Sequence, residues 1–166
     1  MNIRDAQPQD FARVLALNEA SVHFLSPMDA KRLALLHAQS AYHRVAEVDG
    51  EAGAFLLAFR EDSAYDSLNY RWFAQRYPRF LYIDRIVVAD ALRGRGVGQS
   101  LYDDLFAFAR VSGAQRVALE FDVDPPNEAS RRFHARYAFR EVGSQTVDYA
   151  EKRVSLQVAE LGEGKA

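Results

Sequence analysis

The chain contains no cysteine, which removes disulfides, thiolate nucleophiles and thiolate metal sites together. No lysine lies between Lys31 and Lys152, so a phosphate loop of the form GxxxxGK[ST] has no lysine to use over most of the chain. A GxSxG serine elbow is also missing. The four histidines, His23, His37, His43 and His134, show no ligand spacing, so no metal is expected. Charge of one sign is lacking too: 21 Lys and Arg against 23 Asp and Glu give a net −2. No global field therefore favours nucleic acid or an acidic membrane surface. The apolar runs fall far short of the roughly 20 residues that cross a bilayer. The opening "MNIRDAQPQDF" carries acids and no apolar signal-peptide core. The expectation is a single cytoplasmic domain over 1–166, large enough to bury its own core.

What is present is an alternation of strand and helix signals. Asn2–Arg4 reads as a short strand, and Pro8 opens a helix carrying Phe11, Val14, Leu15 and Val22. Pro27 opens a second helix. The run from Tyr42 to Phe59 reads as two strands about Asp49-Gly50, a hairpin signal. Residues 61–79 are polar and aromatic without a steady period, and read as a long functional loop. Phe80–Val88 is a buried strand, Gln99–Val111 a helix ended by Gly113, and "QRVALEFDV" another strand. Asn127 caps a further helix, and the remainder closes as a hairpin. The fold class is α/β: a mixed sheet with helices on both faces, antiparallel at first and switching near the glycines.

Those glycines form "LRGRGVG", Leu92–Gly98, between the strand and the helix. A helix start offers N–H groups without intrahelical partners and the positive end of its dipole. Glycines let successive amides curl toward one anion, and Arg93 and Arg95 add cations. The dinucleotide pattern GxGxxG fails from either start, meeting Gln99 or Leu101 where glycine is required.

"VVADALRGRGVGQSLYDDL" resembles the acetyl-CoA-binding segment of the GNAT acetyltransferase superfamily, [Q/R]-x-x-G-x-[G/A], filled by Arg93, Gly96 and Gly98. "LEFDVDPPNEASRRFHARYAF" resembles the family's next segment through Glu120, Asn127, Ser130, Phe133, His134 and Phe139. The cofactor segment spans 80–112, the second motif 115–140, and the best match 43–142. The resemblance implies a GNAT-like fold, its sheet splayed between two parallel central strands. It implies the CoA pyrophosphate on the amides of Gly94, Arg95, Gly96, Val97, Gly98 and Gln99. It sets the pantetheine arm along Ile86, Val87 and Val88, with the Val88 N–H donating to the thioester carbonyl. Asn127, Ser130, Phe133, His134 and Arg136 would contact the cofactor. Arg131 and Arg132 could join them, or form a solvated basic face. Three positions depart from the pattern: Asp122 stands for asparagine, Ala138 for glycine and His134 for tyrosine. Ala138 is the mildest, provided its φ stays negative.

Acyl transfer to an amine must first remove a proton from an ammonium of pKa near ~10. With no evident nucleophile, direct attack in a ternary complex is the simpler course. Strand parity puts Tyr82, Asp84, Ile86 and Val88 on one face and Arg85 on the other. Asp84 and Glu120 are charges in strands that should be apolar, and so candidate bases. Asp84 could instead pair with some arginine, but not with Arg85, whose side chain parity sends to the other face. The imidazole of His134 could protonate the departing thiolate or only touch the cofactor. Tyr70, Trp72, Phe73 and Tyr82 would line a pocket for a small-molecule or peptide amine, in a monomer or homodimer, although the aromatic loop could equally be a lid or a dimer contact. A non-catalytic acyl-CoA sensor would use the same binding residues without the acids.

Overall fold

The computed structural model describes residues 1–21, 27–124, 128–147 and 152–162. In chain order the strands are β1 (Asn2–Asp5), β2 (Tyr42–Val48), β3 (Glu51–Arg60), β4 (Phe80–Val88), β5 (Arg116–Asp124), β6 (Arg140–Val147) and β7 (Lys152–Glu160). The helices are α1 (Phe11–Ala20), α2 (Ala30–Gln39), α3 (Leu68–Ala74), α4 (Val97–Val111) and α5 (Glu128–Ala135). They build a seven-stranded mixed sheet in the order β1-β2-β3-β4-β5-β7-β6. Strands β1, β2 and β3 are antiparallel, as are β5, β7 and β6, while β4 runs parallel to β5. That parallel register joins Phe80 to Arg116, Leu81 to Val117 and Tyr82 to Ala118. Each strand then continues six residues further, to Val88 and Asp124.

The chain forms two compact units, Met1–Phe59 with Ile83–Phe108, and Arg60–Tyr82 with Ala109–Ala166. In the first, Val14, Leu17, Leu33, Val45, Phe55 and Val87 form a solvent-free core. The β2–β3 hairpin turns at Asp49 (φ 53°) and Gly50 (φ 78°), the left-handed pair that suits the strands' twist. In the second unit Trp72 of α3 lies over Gly143 of β6, where a Cβ would strike its ring. The Nε2 of Gln145 donates to Asn69 of the same helix. His134 of α5 stacks instead on Phe121. Gly143 registers with Leu156 and Leu156 with Glu120, the neighbour of Phe121, so α3 and α5 cover opposite faces of this half-sheet.

Four expectations need correction. Residues 61–79 are not all loop: Ser67 caps α3, its hydroxyl accepting from the Tyr70 N–H at 3.2 Å, a capping signal hidden by the aromatic sequence around it. Helix α2 begins at Ala30, capped by the Asp29 carboxylate on the Arg32 N–H at 2.7 Å, not at Pro27. The first helix starts after a tight turn at Pro8–Asp10, and Val22 lies outside the described residues. Ala138 has φ +62°, so the substitution for glycine there is strained.

Candidate active site

The end of β4 and the turn after it belong to the first unit. Past Ile83 the strand alternates: Asp84, Ile86 and Val88 are half-buried, Arg85 and Val87 buried. A single 3₁₀ turn, Asp90–Leu92, then leads into the glycines. Gly53 of β3 seats that turn. Its carbonyl accepts from the Ala89 N–H at 2.8 Å, and the Leu92 side chain fills the space a Cβ would need. This support was not foreseen, although an isolated glycine inside a strand signals such a close approach.

Gly94 and Gly96 both have φ +77°, a region that costs other residues about 1–3 kcal/mol. The Arg93 N–H turns back to the Asp90 carbonyl and the Arg95 N–H to that of Leu92. Ser100 makes the first helical bond, to Gly96 at 3.0 Å. Among the described residues, the amides of Gly94, Gly96, Val97 and Gly98 have no backbone acceptor. Left-handed glycines alternating with ordinary residues at a helix start form an anion-binding concavity. Arg95 is exposed and among the described residues has no ion pair, while Arg93 pairs with Asp90 at 3.1 Å. The turn fits a pyrophosphate.

Asp84 does pair with Arg85, whose Nε donates to its Oδ2 at 2.5 Å. Parity sends the two side chains to opposite faces, but an arginine's long arm reaches back where a short side chain could not. Both side chains are buried. Arg85 Nη1 also donates to Oδ1 of Asn18, on α1, at 3.1 Å. The expectation that Arg85 could not be the partner of Asp84 is thus corrected; the adjacent Asp-Arg pair in an apolar strand is the signal for it, while Asn18 carries none.

In the second unit Glu120 is half-buried on β5 and accepts at 2.7 Å from the Tyr82 hydroxyl. Tyr82 itself is fully buried, its ring 5.6 Å from Tyr70 and 5.8 Å from Phe73. Three of the residues expected to line an acceptor pocket are thus core packing around the foot of Glu120, and Trp72 is partly exposed. Asp122 lies 3.5 Å from the Lys152 ammonium. His134 is buried between Phe121, Phe133 and Phe139. Arg136 is exposed just beyond α5, and Phe133 is half-buried within it. Asn127 and the side chain of Ser130 lie outside the described residues.

The sequence model of the Acetyltransferase (GNAT) family matches residues 5–139. A phosphinothricin N-acetyltransferase from Streptomyces coelicolor is 41% identical over 59 residues, 36% of this chain and 33% of that protein. The match therefore spans about a third of that relative's length. Among solved structures, Ard1 from Thermoplasma volcanium superposes with a TM-score of 0.79 at 20% identity, over 98% of each chain. The yncA protein of Salmonella typhimurium, solved with its cofactor acetyl-CoA, gives 0.74 at 22% identity, covering all of this chain and 96% of that one. At such identities the likeness carries the fold. The family match covers most of the sequence, with the glycine turn inside it, and the chain belongs to the acetyltransferase (GNAT) family.

Proposed function

We propose that the chain transfers an acetyl group from acetyl-CoA directly to the primary amine of a small molecule or peptide, in a ternary complex. The observation that carries this reading is the pair of left-handed glycines opening α4, within a chain of this family. The amides of Gly94 through Gln99 bind the pyrophosphate, and Arg93 and Arg95 add charge beside it. The backbone of Ile86–Val88 carries the pantetheine amides, the Val88 N–H donating to the thioester oxygen. Acetyl-CoA, when bound, supplies the acyl group and a thiolate that leaves readily.

The proton leaves the ammonium for Glu120. Its carboxylate accepts a hydrogen bond from the Tyr82 hydroxyl at 2.7 Å, which orients it on the strand. Asp84 is already engaged by a buried guanidinium and acts as that cation's partner. His134, enclosed by three aromatic rings, serves as a wall of the cofactor side and not as an acid. Asn127, Ser130, Phe133 and Arg136 complete the cofactor contacts. Trp72 borders the amine, with Tyr70, Phe73 and Tyr82 behind it. Both units act as one domain.

Two measurements test this reading. Gly96→Ala puts a side chain where φ is +77° and should weaken coenzyme A binding, read by calorimetry, about tenfold. An unchanged Kd removes the turn from the cofactor site. A panel of amines and N-terminal peptides with acetyl-CoA should release thiol with at least one member. A folded protein that binds coenzyme A yet acetylates none is a sensor instead.

A further inference from the structure

The second unit contains a cleft of about 890 Å³, within the usual range for small-ligand sites. It lies where β3 and α4 end and β4 begins, its lining including Arg60, Asp62, Arg76, Arg79 and Ser112. The glycine turn follows the other end of β4, so the cleft is no part of the cofactor turn.

Most of its charge is committed. Arg60 grips Glu61 through Nε and Nη2, and caps the end of α4 by donating to the Ser112 carbonyl at 2.7 Å. Arg76 lies 4.1 Å over the Trp72 ring and donates to the Trp72 carbonyl. Two opposite charges remain, the Asp62 carboxylate and the Arg79 guanidinium. Both residues are exposed, and among the described residues neither side chain has an ion pair or hydrogen bond.

These two residues are also strained. Asp62 has φ +66° and Arg79 φ +45°, conformations that cost a non-glycine residue about 1–3 kcal/mol. Each is clamped from outside. The Tyr70 hydroxyl donates to the Arg60 carbonyl at 2.7 Å and accepts from the Ser63 N–H at 3.0 Å, pinning the turn that holds Asp62. The Gln115 N–H holds the Arg79 carbonyl at 2.6 Å, and Arg116 Nη1 holds that of Pro78. Strain kept by such clamps at two oppositely charged residues that line one cleft is the pattern of a pre-organised binding site.

We infer that this cleft is a second small-molecule site, for a zwitterion carrying one carboxylate and one ammonium group. The carboxylate takes the planar fork of Arg79, the geometry that guanidinium recognises best. The ammonium takes Asp62, near the carbonyl-rich end of α4. A plain anion would meet Asp62 as a repulsion, and a plain cation would meet Arg79.

The test uses the whole chain, saturated with coenzyme A, and follows backbone amide shifts by NMR. The probes are glycine, β-alanine and γ-aminobutyrate, with acetate and ethylammonium as controls. At least one zwitterion should move the amides of 60–63 and 76–79, and bind about tenfold or more tightly than either control. Asp62→Asn and Arg79→Gln should each weaken that binding about tenfold, with melting temperature and coenzyme A affinity unchanged. The inference fails if no zwitterion moves those amides. It fails equally if acetate binds as well as any zwitterion and Asp62→Asn has no effect, since the site is then one for anions. No transferase activity is read, so the outcome is independent of the proposed reaction.

Discussion

Past their shared ladder β4 bears Asp84 and β5 bears Glu120, Asp122 and Asp124, and Asp84 and Glu120 are held in different ways. Asp84 is buried against a guanidinium that also reaches α1. Glu120 is half-buried and held by a phenol. A counter-charge makes a carboxylate structural: its loss strands a buried cation, and its use as a base would break an ion pair. A neutral donor such as the Tyr82 hydroxyl fixes the orientation of Glu120, and the proposed reaction uses that carboxylate as its base.

The largest effect should therefore fall on activity at Glu120. Glu120→Gln keeps the size and the acceptor oxygen for Tyr82 but cannot take a proton. Its kcat should drop by about 10²–10⁴-fold with coenzyme A affinity and melting temperature nearly unchanged. Asp84→Asn should reverse the pattern. Removing one partner of a buried pair costs about 3–5 kcal/mol, so the denaturation midpoint should fall sharply while kcat per folded molecule changes little. Asp84→Asn with Arg85→Met, which removes the stranded cation, should recover most of that stability. If Asp84→Asn is stable and inactive while Glu120→Gln is active, the two acids exchange roles.

This contrast was only partly legible in the sequence. Both acids stood out as charges in apolar strands, and the glycines at a strand-to-helix junction with two arginines among them pointed to an anion, whose identity came from the resemblance of the flanking segments. Asp49-Gly50 likewise fixed its hairpin, because one local conformation decides it. The partners of the acids were not legible. Strand parity is a rule about Cβ directions, and the long arm of Arg85 escapes it. The Tyr82 phenol reaches Glu120, 38 positions away in the sequence, and only the strand register brings the two together. Helix α3 was hidden because its buried residues, Asn69, Tyr70 and Phe73, show no clean apolar period and its length is under two turns. Asp62 and Arg79 carry no motif; their conformations come from clamps made by Tyr70, Gln115 and Arg116.

A third buried titratable group extends the comparison to one whose burial outweighs its charged neighbours. His43 is almost fully buried, its Nδ1 2.8 Å from that of His37, and its Nε2 has no partner among the described residues. Burial first, then the neighbouring imidazole, pushes its pKa down to about 4, against the opposing pull of Asp10 and Asp5. Because the folded value is lowered, the unfolded chain takes up the proton first. The contribution is complete above the ordinary value of about 6.5 and is lost as pH falls toward 4. The loss over that window should be up to about 3 kcal/mol. Asp10, held below its usual range by Arg4, has the same sign but acts at lower pH. In His43→Phe the urea midpoint should be flatter between pH 6.5 and 4.5. An equally steep fall would show that another group drives the acid sensitivity.

The smallest effect concerns backbone strain at Ala138. Gly94 and Gly96 occupy left-handed conformations without a side chain to oppose them, whereas Ala138 occupies one at φ +62° with its Cβ. It is pinned there by its N–H on the Ala135 carbonyl at 3.3 Å, in the turn between α5 and β6. Ala138→Gly relieves strain of about 1–2 kcal/mol. It also frees the unfolded chain, which returns about 0.4–1 kcal/mol of that gain. The net should be stabilising by roughly 0.5–1 kcal/mol, a rise in melting temperature of about 1–4 °C for a chain of this size. Coenzyme A affinity should stay unchanged, since the residue lies outside the glycine turn. A fall in melting temperature would mean that the alanine methyl packs favourably enough to outweigh its own strain.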